Sequence, residues 1–215
     1  MIGFLMGIVC CMALDAQTAT TESNYLFEEF KQGSVKFKNK APAQALLNYD
    51  MLLQEMQFMQ GENVMILQEL NTIDTIFIEG RKFIPQRNVF LEKIETGSTT
   101  FFVEWKITVL SKLKEEGVGI ISQMGATDAL NVSHTQKTGA AGETRNIVYN
   151  FKYNNSYYLP KGGKLLKFST TQGFVKLFPK DKTSAIQAFI SDNKVNIQHV
   201  GDVQSLIEYA NNLVK

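Results

Sequence analysis

The chain has 215 residues, of which 44% are hydrophobic and 20% charged. That is enough for one domain of ordinary size whose core needs neither metal nor disulfide. Its 22 basic and 21 acidic residues leave a formal net charge of +1. So balanced a charge makes no positive field for nucleic acid or an anionic membrane surface, and neither is expected as a partner.

The stretch from Met1 to Leu14 is apolar and uncharged. It is shorter than the ~20 residues of a spanning helix and matches the apolar region of an export signal. Leu14-Asp15-Ala16 before Gln17 then supplies the cleavage region, giving a signal peptide over 1–16 and an N-terminal extension over 17–32. The rival reading is a buried N-terminal helix. Both cysteines, Cys10 and Cys11, fall in this segment, and Val9 is not the small residue a lipidation signal places before its cysteine. Cleaved after Ala16, the chain holds no disulfide and no thiolate ligand. The expected location is exported, in a periplasm or attached to an outer membrane, with no transmembrane span in the mature chain.

From Gly33 to Leu110 short apolar runs alternate with turn signals, which predicts an antiparallel β body over 33–110. Val35 and Phe37 alternate with Lys36 and Lys38. Ala45 to Tyr49, Met56 to Met59, Val64 to Leu67, Ile73 to Ile78, Lys82 to Ile84 and Asn88 to Glu95 follow, with Glu79-Gly80 as a hairpin tip. Pro85 is expected to end its strand or to sit at an edge. The clearest alternation runs from Thr99 to Leu110, where Phe101, Val103, Trp105, Ile107 and Val109 share one face of a single predicted strand.

Composition then shifts to Gly, Ser, Thr, Ala and Asn, predicting a flexible loop over 111–145 whose small side chains do not offset the entropy of ordering it. Strands resume over 146–169, through Ile147 to Phe151, Tyr157 to Leu159 and Lys164 to Phe168. Beyond Thr170 the period becomes helical, predicting C-terminal helices over 170–215. Phe174, Leu177 and Phe178 form a short first helix before Pro179. Ala185, Ile186, Phe189 and Ile190 mark a second. Val203, Leu206, Ile207, Ala210 and Leu213 mark a third, with Asp202 as its expected cap. The fold class is α+β and mostly β, an antiparallel meander, roll or barrel-like sheet followed by a small helical segment.

Residues that carry chemistry are sparse. The chain has two histidines. His134 falls in the predicted loop, a poor mount for the base of a Ser/His/Asp triad. His199 is expected to be partly buried against a carboxylate or carbonyl. Two separated histidines and no mature cysteine leave too few ligands for structural zinc, and no Asp-x-Asp-x-Asp-Gly loop suggests calcium. Glu92, Glu95 and Glu104 lie on adjacent predicted strands, where two acids facing each other would match the carboxylate pair of a glycosidase. Solvated charges on an outer face are the commoner arrangement. Gly117-Val118-Gly119 lacks the Gly-Lys-Ser/Thr of a phosphate loop. Asn131-Val132-Ser133 and Asn154-Asn155-Ser156 match a glycosylation triplet, and Asp74-Thr75-Ile76 an O-glycosylation pattern, with Thr75 inside a predicted strand. No catalytic, cofactor-binding or metal-ligating residue is assigned.

Several stretches in order resemble a group of uncharacterised exported proteins of Bacteroidetes-type bacteria. They are Gly33 to Lys38 leading to Ala45-Leu46-Leu47-Asn48-Tyr49-Asp50 and Glu55-Met56-Gln57-Phe58, then the segment around Gly117-Val118-Gly119. Ser156-Tyr157-Tyr158-Leu159, Gly163-Lys164 and Leu177-Phe178-Pro179-Lys180 before the last helices complete the series. The resemblance implies export and architecture, and no activity. The expected function is therefore a non-catalytic binding or structural module of a bacterial envelope, its partner another envelope protein or a glycan. The alternatives are a carrier of an apolar ligand in a β-barrel and a hydrolase using carboxylates.

Overall fold

The computed structural model describes residues 20–21, 23–97, 99–114 and 147–214. The expected signal segment with Cys10 and Cys11, and the predicted loop beyond 114 with His134 and Asn131-Val132-Ser133, lie outside the described residues.

The strands are β1 (Thr20–Thr21), β2 (Lys31–Phe37), β3 (Ala43–Asp50), β4 (Glu55–Gln60), β5 (Asn63–Ile66), β6 (Ile73–Ile78), β7 (Arg81–Gln86), β8 (Val89–Thr96), β9 (Thr99–Glu104), β10 (Ile107–Lys114), β11 (Ile147–Tyr153), β12 (Ser156–Lys161) and β13 (Lys164–Phe168). Ten of them form one open antiparallel sheet in the order β13-β12-β9-β8-β7-β6-β2-β3-β4-β5, and β1, β11 and β10 form a second. Helices α1 (Thr171–Val175), α2 (Thr183–Asp192) and α3 (Val200–Leu213) close the chain. The fold is thus mostly β with C-terminal helices, as the patterning predicts.

Local chemistry accounts for several joints. Glu79 and Gly80 both take the left-handed backbone, with φ of 46° and 77°, the conformation that a tight hairpin between twisted strands requires. Gly33 is held by packing instead. A Cβ there would lie 2.7 Å from both Leu47 Cδ1 and the Phe77 carbonyl oxygen. Pro85 lies inside β7, an interior strand, where it pairs with Phe90 of β8. The last register pair of β7 with β6 is Phe83 with Ile76, so Pro85 sits where one side of the strand has run out of ladder and a missing N–H costs least.

The run from Thr99 to Leu110 is not one strand. The chain leaves the large sheet after Glu104 and enters the second at Ile107. The alternation continues across the break because Trp105 and Ile107 both pack into the core. β10 also extends to Lys114, beyond the predicted start of the loop. The described part of the predicted extension, from Ser23 on, is likewise part of the body. Tyr25 bridges Asp50, Leu26 N–H donates to the Tyr49 carbonyl, and Phe27 is buried in the core.

The core has two parts. Leu47, Tyr49, Met56, Ile76, Ile78, Phe83 and Phe90 of the large sheet fill the first, joined by Ile107 and Phe151 of the second sheet. In the other, Phe101, Val103, Tyr157 and Phe168 meet Phe174, Ile186, Val203, Leu206, Ile207 and Ala210 of the helices. Trp105 packs against both. Each fully buried side chain of this kind contributes roughly 1.5–3 kcal/mol. Thr170 caps α1 by accepting from Gly173 N–H at 3.0 Å. Asp202 is not the cap of α3: His199 holds that position, and Asp202 in the first turn accepts from Asn196 N–H at 2.9 Å.

Candidate ligand-binding pocket

The three acids expected as solvated outer-face charges divide. Glu95 is exposed, with Lys93 at 2.6 Å and Lys82 at 3.2 Å, whose hydrogen bonds hold its carboxyl below the ordinary range. Glu92 and Glu104 are buried instead. A buried carboxylate must be paired, and each is. Glu92 takes a two-pronged contact from Arg81, Nε at 2.7 Å and Nη2 at 2.6 Å, and a hydrogen bond from Trp105 Nε1 at 2.5 Å. The Arg81 guanidinium lies 4.9 Å from the ring centre of Phe27, 5.2 Å from Trp105 and 5.5 Å from Phe83. This clamp ties the N-terminal segment to β7, β8 and the exit of β9.

Glu104 accepts from Tyr158 OH at 2.5 Å, Lys167 Nζ at 2.8 Å and Gln54 Nε2 at 3.0 Å. Burial opposes its ionisation, but hydrogen bonds from Lys167, Tyr158 and Gln54 outweigh that and hold the carboxyl below its usual range. Burial, then the bond to Glu104, pushes the Tyr158 hydroxyl up. A carboxylate held ionised and a phenol held protonated are poorly matched to proton transfer near neutral pH.

The register also separates the acids. Glu92 pairs with Val103, so Glu104, the next residue of β9, faces the other side of the sheet. Glu95 pairs with Thr100. That places it about 13 Å along the strand from Glu104. None of these pairings flanks a common bond.

His199 is exposed, not partly buried, and its Nδ1 lies 2.7 Å from Asp202 Oδ1. Among the described residues no three His, Cys, Asp or Glu are grouped so as to hold a metal ion. No described helix is long and apolar enough to cross a membrane.

A cavity of about 490 Å³ opens between the start of β4, the connection from β5 to β6, and the turn from β7 to β8. Ile66, Leu67 and Leu70 supply its accessible apolar surface, with the buried Met56 and Phe90 behind them. Gln54, Glu55, Gln68, Glu69, Asn71, Arg87 and Asn88 supply polar groups around it. Gln54, Glu69 and Arg87 have φ of 60°, 55° and 56°. None is a glycine, and each such residue costs of order 1–3 kcal/mol. At Arg87 the conformation is that of the two-residue hairpin between β7 and β8, as at Glu79, and at Gln54 and Glu69 it fixes the direction in which the chain presents its side chains. Gln54 is further fixed by its bond to Glu104, so the buried acid orients the pocket wall.

Of the described acids and histidines singled out in the sequence, only Glu104 reaches this pocket, through Gln54. The pocket as a site was not legible there, since Gln, Glu and Arg carry no turn signature and the cavity joins three distant loops. The chain matches no known protein family, no curated protein and no solved structure.

Proposed function

We propose that the chain is an exported, non-catalytic binding module of a bacterial envelope, and that its ligand is a hydroxyl-rich molecule such as a glycan fragment held in the cavity beside β4. The observation that carries the reading is the cavity itself, an apolar floor ringed by planar side-chain groups. Carboxamides of Gln54, Gln68, Asn71 and Asn88 offer both donors and acceptors, Glu55 and Glu69 offer acceptors, and Arg87 offers donors. Neighbouring hydroxyls of a sugar present the matching mixture, and the apolar C–H face of a ring suits the part-exposed Leu67 and Leu70. A few polar groups around an apolar floor is the usual make-up of small-molecule sites.

Carriage of an apolar ligand is less well supported, because the inner face of the sheet is filled by Leu47, Tyr49, Ile76 and Phe83. The test is calorimetric titration with soluble peptidoglycan and capsular fragments. The reading expects saturable binding that Arg87→Ala and Asn88→Ala weaken at unchanged melting temperature. Release of cleaved product, or binding indifferent to both substitutions, would contradict it.

A further inference from the structure

The charge of the chain balances in total but not in place. Between 161 and 182 lie six of its 22 basic residues, all lysines, and one of its 21 acids, Asp181. Two of the six are neutralised, Lys167 by Glu104 at 2.8 Å and Lys182 by Asp181 at 3.4 Å. Lys161, Lys164, Lys176 and Lys180 are exposed, and among the described residues none of them is in an ion pair. The fold gathers these four. Gly162 and Gly163, with φ of 56° and 74°, turn the hairpin so that Lys161 faces Lys164 directly. Lys161 Nζ donates to the Leu177 carbonyl at 2.8 Å and lies 5.7 Å from the ring centre of Phe178. That contact seats the hairpin tip on the end of α1, where Lys176 precedes Leu177 and Lys180 follows Pro179. Like charges directly opposite on a sheet destabilise it. Lysine on an edge strand guards against pairing with another chain, which accounts for Lys164 on β13 but not for Lys176 or Lys180.

We infer that this lysine cluster is the face by which the protein docks on an anionic membrane surface, through the phosphates of the lipid headgroups. Charge complementarity selects the occupant. A cluster of lysines is drawn to a surface of negative lipids, gaining about five-fold in affinity for each lysine. The half-exposed Leu165, Leu166 and Leu177 stand among the lysines, and apolar groups beside cations suit a headgroup boundary. Nucleic acid is the poorer fit. A single strand stacks its bases on open rings, whereas Phe174 is buried and the Phe178 ring lies under Lys161. The stretch also holds no arginine to grip a phosphate in a bidentate fork. The cluster lies at the far end of β12 from Ser156, which pairs with Glu104 and so adjoins Gln54 of the cavity wall. A chain resting on these lysines therefore holds the cavity away from the membrane.

The experiment is sedimentation of the whole chain with vesicles, either of phosphatidylcholine alone or with about a third of phosphatidylglycerol. The neutral vesicles measure what the apolar segment from Met1 to Leu14 contributes by itself. The wild type binds the anionic vesicles more tightly, and high salt removes the difference. Lys176→Ser combined with Lys180→Ser lowers affinity for the anionic vesicles by about 25-fold, at about five-fold for each lysine. Lys40→Ser combined with Lys152→Ser makes the same change in net charge at exposed positions off the cluster, and leaves binding unchanged. Among the described residues none of these four side chains makes a hydrogen bond, so both variants keep the wild-type melting temperature. Equal binding to the two kinds of vesicle overturns the proposal, and so does an equal loss in the two double variants. Tighter binding to duplex DNA or a soluble acidic polysaccharide than to the vesicles, lost with Lys176 and Lys180, also overturns it.

Discussion

Glu92 and Glu104 stand on neighbouring strands, both buried and both fully partnered, yet they face opposite sides of the sheet. Each is the anchor of a separate cross-link. Glu92 fastens the N-terminal segment and Trp105 through Arg81, while Glu104 fastens the turn before β4 to β12 and β13 through Gln54, Tyr158 and Lys167. Their chemistry is that of fixed anions, and their removal is expected to be felt in stability.

Acid sensitivity should follow from Glu104. Its carboxyl titrates lower folded than the ordinary 4.5. The stabilisation is therefore fully present above that value and is lost as pH falls through the folded value. Glu104→Gln should lower stability at pH 7 and flatten the acid limb of a melting-temperature profile below about pH 4.5. An acid limb identical to that of the wild type would show that the network contributes nothing. On the alkaline side, Tyr158 and Lys167 are raised from 10.0 and 10.5. Their contribution is present below those values and fades as pH climbs past them.

The Arg81 clamp should report through fluorescence, because Trp105 is the only tryptophan of the chain. Arg81→Ala strands a buried carboxylate and removes a cation from three rings. Breaking a buried pair costs about 3–5 kcal/mol, and because Arg81 is partly exposed the expectation is near the low end. Trp105→Phe removes one donor to that carboxylate and should cost about 1–3 kcal/mol. Urea titrations read both.

Two residues of the α2 stripe should respond unequally. Ile186 is completely buried, so Ile186→Ala is expected to cost about 2–5 kcal/mol. Phe189 is half-buried and stacks on Tyr209 at 4.3 Å between ring centres. Its loss should cost less, about 1–3 kcal/mol. A neutral Ile186→Ala would mean that the helices do not pack on β9, β12 and β13 as described.

Backbone strain at the pocket predicts a trade between stability and binding. Arg87→Gly relieves a left-handed residue and should raise stability by about 1 kcal/mol, while removing a donor from the pocket wall. Thermal melts and ligand titration of the same variant test the two halves separately. A destabilised Arg87→Gly would show that the Arg87 side chain is needed for folding.

Much of the architecture was readable because period-2 patterning and turn residues agree, as at Glu79-Gly80 and along Val35 to Phe37. Trp105 shows where that reading fails. Alternation records that a side chain is inward, not which sheet it belongs to, so the change of sheet between Glu104 and Ile107 left no mark. The burial of Glu92 and Glu104 was hidden for a related reason. Glutamates in a strand read as solvent-facing, and their partners Arg81, Trp105, Gln54 and Lys167 lie 11 to 63 residues away in sequence. The pocket was the least legible part, since its strained backbone falls on residues that have no preference for that conformation.

If the cavity beside β4 holds the ligand, NMR titration with soluble envelope oligosaccharides places it there. Saturable shifts are expected, confined to the side-chain amides of Gln54, Gln68, Asn71 and Asn88 and to the Leu67 and Leu70 methyls. Saturable shifts that cluster elsewhere, with these groups unmoved, would contradict this placement.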